Sequence, residues 1–214
     1  MLTLPKFPRI ATTSIVHDVS VAHDGFQIEY ADPARILRLI APDGTNRLTR
    51  ACIRALTDEL STKELRDHPL IIAGNPKFFS VGADLNEIAA LTGPEAYEFS
   101  AEGQALMNAI ARHPTPVIAA IEGHCMGGGL DVALACHRRI AAPQAIFGHR
   151  GAALGLITGW GGTQRLPRLI GKARALELFI TAEKISAARA LEIGLVDAVT
   201  GDPIAEARHL ATIY

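Results

Sequence analysis

The chain has 214 residues, 49% of them hydrophobic and 20% charged, with a formal net charge of -1. That length fits one domain with a large buried core, and the composition excludes an intrinsically disordered chain. A charge this close to zero gives no global field to recruit nucleic acid or an anionic membrane, and no apolar run is long enough to span a bilayer.

Residues 1–10 are interrupted by Pro5, Lys6, Pro8 and Arg9, so they lack the continuous apolar segment of a signal peptide. The three cysteines, Cys52, Cys125 and Cys136, are few and odd in number, which suits a reducing compartment and a cytoplasmic location. Strands are expected at residues 14–21 and 26–30, with Asp24-Gly25 turning between them, and at 35–40, stopped by Pro42, Asp43 and Gly44. Leu48, Cys52, Ile53, Leu56 and Leu60 repeat at helical spacing. The apolar run 69–73, closed by Gly74-Asn75-Pro76, reads as a buried strand. A helix follows Gly82 over 84–91, and Pro94 opens a longer one to about residue 112. Residues 117–121 form a second buried strand, and a short apolar helix leads from the Gly127-Gly128-Gly129 triplet to about Cys136. Short strands are expected at 139–141 and 145–147, and mostly helix from 161 to 214, with breaks near Gly171, Lys184 and Gly194. Strands alternating with helices predict an α/β layered domain.

Two strand-to-helix junctions carry the chemistry. The first is Phe79-Ser80-Val81-Gly82-Ala83-Asp84-Leu85; the second is Glu122-Gly123-His124-Cys125-Met126-Gly127-Gly128-Gly129-Leu130-Asp131. Glycine lets the backbone turn sharply and approach a ligand, and a helix N-terminus leaves N–H donors unpaired. Two such junctions aimed at one point would form an oxyanion hole. Singly, each is also what a tight turn or close packing needs.

With these blocks the chain resembles the enoyl-CoA hydratase/isomerase (crotonase) family from about residue 26 to 199. The strongest parts are 79–85, 119–135 and 147–171, the last including Gly161-Gly162-Thr163-Gln164-Arg165-Leu166. The resemblance implies an α/β, crotonase-like fold with a ββα-type superhelix core. It implies an acyl-CoA thioester as substrate, with no cofactor beyond the CoA that the substrate carries and no metal. The oxyanion donors would be the amides of Ala83 and Gly128. Lys77 and the stretch Val81, Gly82, Asp84 and Leu85 would lie along the CoA, with Gly127 and Gly151 also at the substrate. A trimer-based homo-oligomer is the family's usual assembly.

The first of the family's two acid/base carboxylates corresponds to Asp131, where aspartate stands in place of the usual glutamate. A place in the first turn of a helix favours its ionised form, as suits a base; a helix-capping or solvated aspartate is the plainer reading. The second falls on Gly151, which transfers no proton, and this puts two-carboxylate hydration in doubt. Neighbouring His149 and Arg150 are the candidates to compensate, His149 because an unperturbed imidazole titrates near neutrality, although a structural or phosphate-binding role suits such residues better. A zinc site between His124-Cys125 and Cys136-His137 is disfavoured, because the intervening helix separates them by roughly 16 Å. Gln164 breaks the dinucleotide fingerprint after Gly159-Trp160-Gly161-Gly162, and no Gly-x-Ser-x-Gly elbow exists. Ser80 reads as packing within its motif.

The expected organisation is a core domain over 1–200, with 201–214 beginning a shortened helical C-terminus. The expected activity is hydration or a double-bond shift on a thioester enolate. An acyl-CoA-binding module with impaired catalysis, or another one-carboxylate enolate reaction, is the alternative.

Overall fold

The computed structural model describes residues 20–30 and 32–213. Strands β1 (Ser20–His23), β2 (Phe26–Tyr30) and β3 (Arg35–Leu39) form an antiparallel meander; most of the strand expected at 14–21 lies outside the described residues. The short β4 (Arg47–Leu48) leads into α1 (Arg50–Glu59), whose N-cap Thr49 accepts from the Cys52 amide, and then α2 (Lys63–Arg66). Next come β5 (Leu70–Ala73), β6 (Phe78–Ser80), β7 (Gly82–Ala83), α3 (Leu85–Ala90) and α4 (Gly93–Ala111). A capping box between Thr92 and Glu95 starts α4.

The strand β8 (Val117–Ile121) is followed by β9 (His124–Met126), α5 (Gly128–Ala135), β10 (Arg138–Ala141) and β11 (Ile146–Gly148). A 3-10 turn over Gly151–Leu154 precedes α6 (Gly162–Ile170) and α7 (Lys172–Thr181). The chain continues through β12 (Ile185–Ser186), α8 (Ala187–Glu192), β13 (Ala198–Val199) and α9 (Pro203–Ala211). The two short strands β12 and β13 interrupt what the sequence presents as a mostly helical end.

The main sheet has seven strands in the order β1-β2-β3-β5-β8-β10-β13, parallel from β3 onward. Every residue of β5 and β8 is buried, which explains why both read as unbroken apolar runs. Leu70, Ile72, Val117, Ala119 and Ile121 face the larger core. Their neighbours Ile71, Ala73, Ile118 and Ala120 face a second core, closed by Ala207 and Ala211 of α9. Each large apolar side chain so buried contributes about 1.5–3 kcal/mol.

A second sheet has the order β12-β11-β9-β6; of its strands the sequence shows only β11, expected at 145–147, because the others are just two or three residues long. It runs in parallel register through β6, β9 and β11. It therefore brings the ends of β6, β9 and β11 side by side, and the chain leaves each of them toward one cavity. Outside the core, α1 is tied to α4 by Arg50 and Arg54 on Glu102, at 2.8 and 2.6 Å. Those guanidinium groups, Arg50 first, hold the Glu102 carboxyl down to about 2.

Candidate active site

At the first junction the chain is pinned by backbone and hydroxyl bonds. The buried Ser80 hydroxyl donates to the Asn46 carbonyl at 2.6 Å and accepts from the Gly82 amide at 3.0 Å. Ser80 is thus structural, as its place in the motif suggests. Gly82 has φ +92°, a left-handed conformation that favours glycine. A Cβ there would lie 2.6 Å from the Gly128 amide nitrogen, so the two junctions abut through bare backbone. Asp84 then caps α3 by accepting from the Asn86 amide at 2.8 Å, and pairs with Arg47 at 3.3 Å.

At the second junction Gly127 has φ +52° and donates its amide to the Gly148 carbonyl at 3.0 Å. Gly128 is the first residue of α5, a position whose N–H has no acceptor within the helix. The helix itself is buried from Gly129 to Ala135. Its close fit needs the glycines: a Cβ on Gly129 would sit 2.6 Å from the Ser80 carbonyl, and one on Gly128 would enter the Trp160 ring.

Both junctions open on a cavity of about 600 Å³. Ala83, Gly128, Asp131 and Gly151 line it, as do Val81, Asp84, Leu85 and Gly127. Gly82 is buried behind them, and Lys77 is exposed and outside the lining, its carbonyl accepting from the His124 amide at 2.8 Å. The structure thus gathers every candidate except Lys77 in or directly behind one space.

The first-turn position favours an ionised Asp131, and burial works against it. Asp131 is neither solvated nor a helix cap but 2% exposed, and burial pushes its carboxyl up to about 7. The Thr158 hydroxyl, which donates to Oδ2, the charge of Arg165 and the Gly162 amide oppose that rise only in part. A helix N-terminus is worth about 0.3–1 kcal/mol to a carboxylate, less than full desolvation removes. His149 approaches from the end of β11, with Nε2 at 3.5 Å from Asp131 Oδ1, and burial drives it down to about 4.

The lining also includes residues that the sequence did not single out for the site, among them Arg47, Phe99, Thr158 and Trp160. Trp160 had a visible cue, being the sole tryptophan and flanked by glycines. Its ring stands edge-on to Phe99, 5.4 Å between centroids, and fills the space beside Gly103 and Gly128. Thr158 had none, since only the folded loop carries it to Asp131. On the opposite wall, Gly151 stands where a side chain would be crowded. A Cβ on Gly151 would sit 2.7 Å from the Leu156 carbonyl oxygen, in a turn closed by the Leu156 amide on the Gly151 carbonyl. Among the described residues no three metal-binding side chains cluster, and no helix is long and apolar enough to cross a membrane.

Comparison with known proteins gives this geometry its context. The description "Enoyl-CoA hydratase/isomerase" matches residues 35–212. A protein of Bacillus subtilis (strain 168) named "Probable enoyl-CoA hydratase" is 52% identical over 128 residues, 59% of this chain and half the length of that relative. The crystal structure of an enoyl-CoA hydratase from Thermoplasma volcanium superposes with a TM-score of 0.83 at 31% identity, over 88% of this chain and 77% of that one. One from Bacillus anthracis gives 0.78 at 36% identity, over 88% and 74%. The fold is the crotonase fold that the sequence blocks imply, and the chain belongs to the enoyl-CoA hydratase/isomerase family.

Proposed function

We propose that the cavity takes the thioester end of an acyl-CoA and moves a proton on its enolate, with Asp131 as the sole acid/base group, so that a double-bond shift is the favoured reaction. The thioester oxygen accepts from the Ala83 and Gly128 amides, which stabilise the negative charge that develops as the α-proton leaves. The CoA runs along Val81, Gly82, Asp84 and Leu85, with Gly127 and Gly151 at the acyl end and Lys77 toward the nucleotide. With a β,γ-unsaturated thioester, Asp131 takes the proton from Cα and forms the dienolate. It then returns that proton to Cγ, and the double bond moves into conjugation with the carbonyl.

One observation carries this reading: the cavity lining holds a single carboxylate without an arginine or lysine ion pair among the described residues, and burial raises it to about 7. A group poised there both accepts and donates near neutral pH. The other carboxylate on the lining, Asp84, is engaged by Arg47 and the Asn86 amide. The bare Gly151 favours a second reading, an acyl-CoA-binding module without turnover.

Assays with but-3-enoyl-CoA and crotonyl-CoA, native against Asp131→Ala, separate these outcomes. The expected result is conversion of but-3-enoyl-CoA to crotonyl-CoA, lost in the variant. Equal rates in the two proteins would remove Asp131 from the mechanism. Tight binding of both thioesters without product would favour the binding module, and faster hydration of crotonyl-CoA than isomerisation would overturn the one-carboxylate scheme.

A further inference from the structure

We infer that His149 is the positioning partner of Asp131, its Nε2–H holding Oδ1 while the Thr158 hydroxyl holds Oδ2, so that the carboxylate is fixed at both oxygens. This deepens the proposed function, since it gives the proton-transfer group a fixed aim in the absence of a second carboxylate. The geometry on which it stands is specific. Asp131 Oδ1 and His149 Nε2 are both buried, neither reaches a hydrogen-bond partner within ordinary limits among the described residues, and they face each other at 3.5 Å, with the Gly162 amide also favouring the carboxylate. That is the outer limit of a hydrogen bond, and such contacts in unliganded sites commonly tighten when substrate binds.

The surroundings are shaped around the pair. A Cβ on Gly162 would stand 2.9 Å from His149 Nε2 and would collide with Asp131 Oδ1, so glycine at the start of α6 leaves room for the contact. The His149 ring rests against Phe179 of α7, 5.3 Å between centroids, which fixes its plane. The ring is buried and held neutral, so its role is to donate rather than to form an ion pair with the carboxylate.

The other groups facing the pair are few. Arg165 of α6 favours the carboxylate by its charge and is itself repelled by Arg168. Arg150 lies beside His149 on the cavity lining, and Cys125 of β9 is kept a neutral thiol by burial.

The test titrates the Asp131 carboxyl by carbon NMR in protein carrying labelled aspartate, without any CoA ligand, with Asp131→Asn identifying the signal. In His149→Phe, which keeps a ring but has no donor, the midpoint should rise by about one pH unit, a tenfold gain in proton affinity. His149→Gln, whose amide can donate, should bring it back toward the native value. Nitrogen NMR of the native ring above the Asp131 midpoint should find the proton on Nε2. An unmoved midpoint in both variants, or a proton on Nδ1 alone, would overturn the pairing. With but-3-enoyl-CoA, kcat should fall in His149→Phe and recover in His149→Gln while KM stays near native. Coupled titration without turnover would leave the pairing standing and defeat the proposed function; native kcat with an unmoved midpoint would do the reverse.

Discussion

The two walls of the cavity are built for different tasks. On the α5 side stand Asp131, His149 and Thr158, with the buried Asp131 carboxyl meeting the Thr158 hydroxyl at one oxygen and facing His149 with the other. On the side of the 3-10 turn stand Gly151, Leu154, Leu156 and Ile157, with no carboxylate among them and Arg150 at the head of the turn, and Leu154 and Ile157 are exposed. The difference teaches that a missing carboxylate is not simply an empty place. The Gly151 turn has no room for a side chain, whereas the Asp131 wall carries additional polar partners. Chemistry has been concentrated on one side.

The sharpest way to break this contrast is Asp131→Asn. Turnover of but-3-enoyl-CoA should fall by about 10²–10⁴-fold, the usual worth of a positioned proton-transfer group, while thioester affinity stays close to native. A loss below tenfold in a steady-state assay would mean that the polar wall is not the reacting one.

Stability against pH is the next probe, because the two buried groups pull in opposite directions. Asp131 is raised from 3.8 to about 7, so the folded chain binds its proton more tightly than the unfolded chain does, and its contribution is lost as pH rises through that window. His149 is lowered from 6.5 to about 4, so its contribution is lost as pH falls through its own window. Between about pH 4 and 6.5 the two slopes offset. Asp131→Asn should therefore make stability rise with pH over that range relative to the native chain, and His149→Gln should make it fall. Each divergence reaches on the order of 3–4 kcal/mol across its window. Urea unfolding at several pH values reads both, and parallel curves for all three proteins would contradict the burial account.

A smaller effect is expected on the apolar wall. Gly151→Glu puts a carboxylate where the family pattern has one, yet its Cβ crowds the Leu156 carbonyl. The expected outcome is a loss of about 1–3 kcal/mol in thermal stability with no gain in crotonyl-CoA hydration. Efficient hydration by this variant would show that the turn accommodates a catalytic side chain after all. The smallest effect belongs to Thr158→Val, which removes the hydroxyl on Oδ2. Acting as a base, Asp131 gives a rate that rises with pH through about 7, and the variant should move that rise upward by about one unit.

Much of this molecule is legible in its residues. The runs at 69–73 and 117–121 mark the two strands buried on both faces, and the glycine-bearing junctions mark the two sides of the cavity. What escaped depends on long-range placement. Apart from β11, the second sheet is made of strands too short to show a period, and its pairing joins residues far apart in sequence, such as Phe78 with His124. The charge state of Asp131 followed local helix electrostatics on paper. In the fold it follows burial, which is set by α6 and the loop before it. His149 was visible as a candidate, but its distance from Asp131 was not, since 18 residues separate them in the chain and β11 sets their approach.

The central claim is the convergence of two backbone donors on one oxygen beside the polar wall. A crystal structure of the Asp131→Asn protein with crotonyl-CoA bound tests it most directly. The account predicts the thioester oxygen at about 2.7–3.1 Å from both the Ala83 and Gly128 amide nitrogens, with Cα facing residue 131. A thioester oxygen held by neither amide, or an acyl group turned toward the Gly151 wall with its α-carbon away from residue 131, would contradict it.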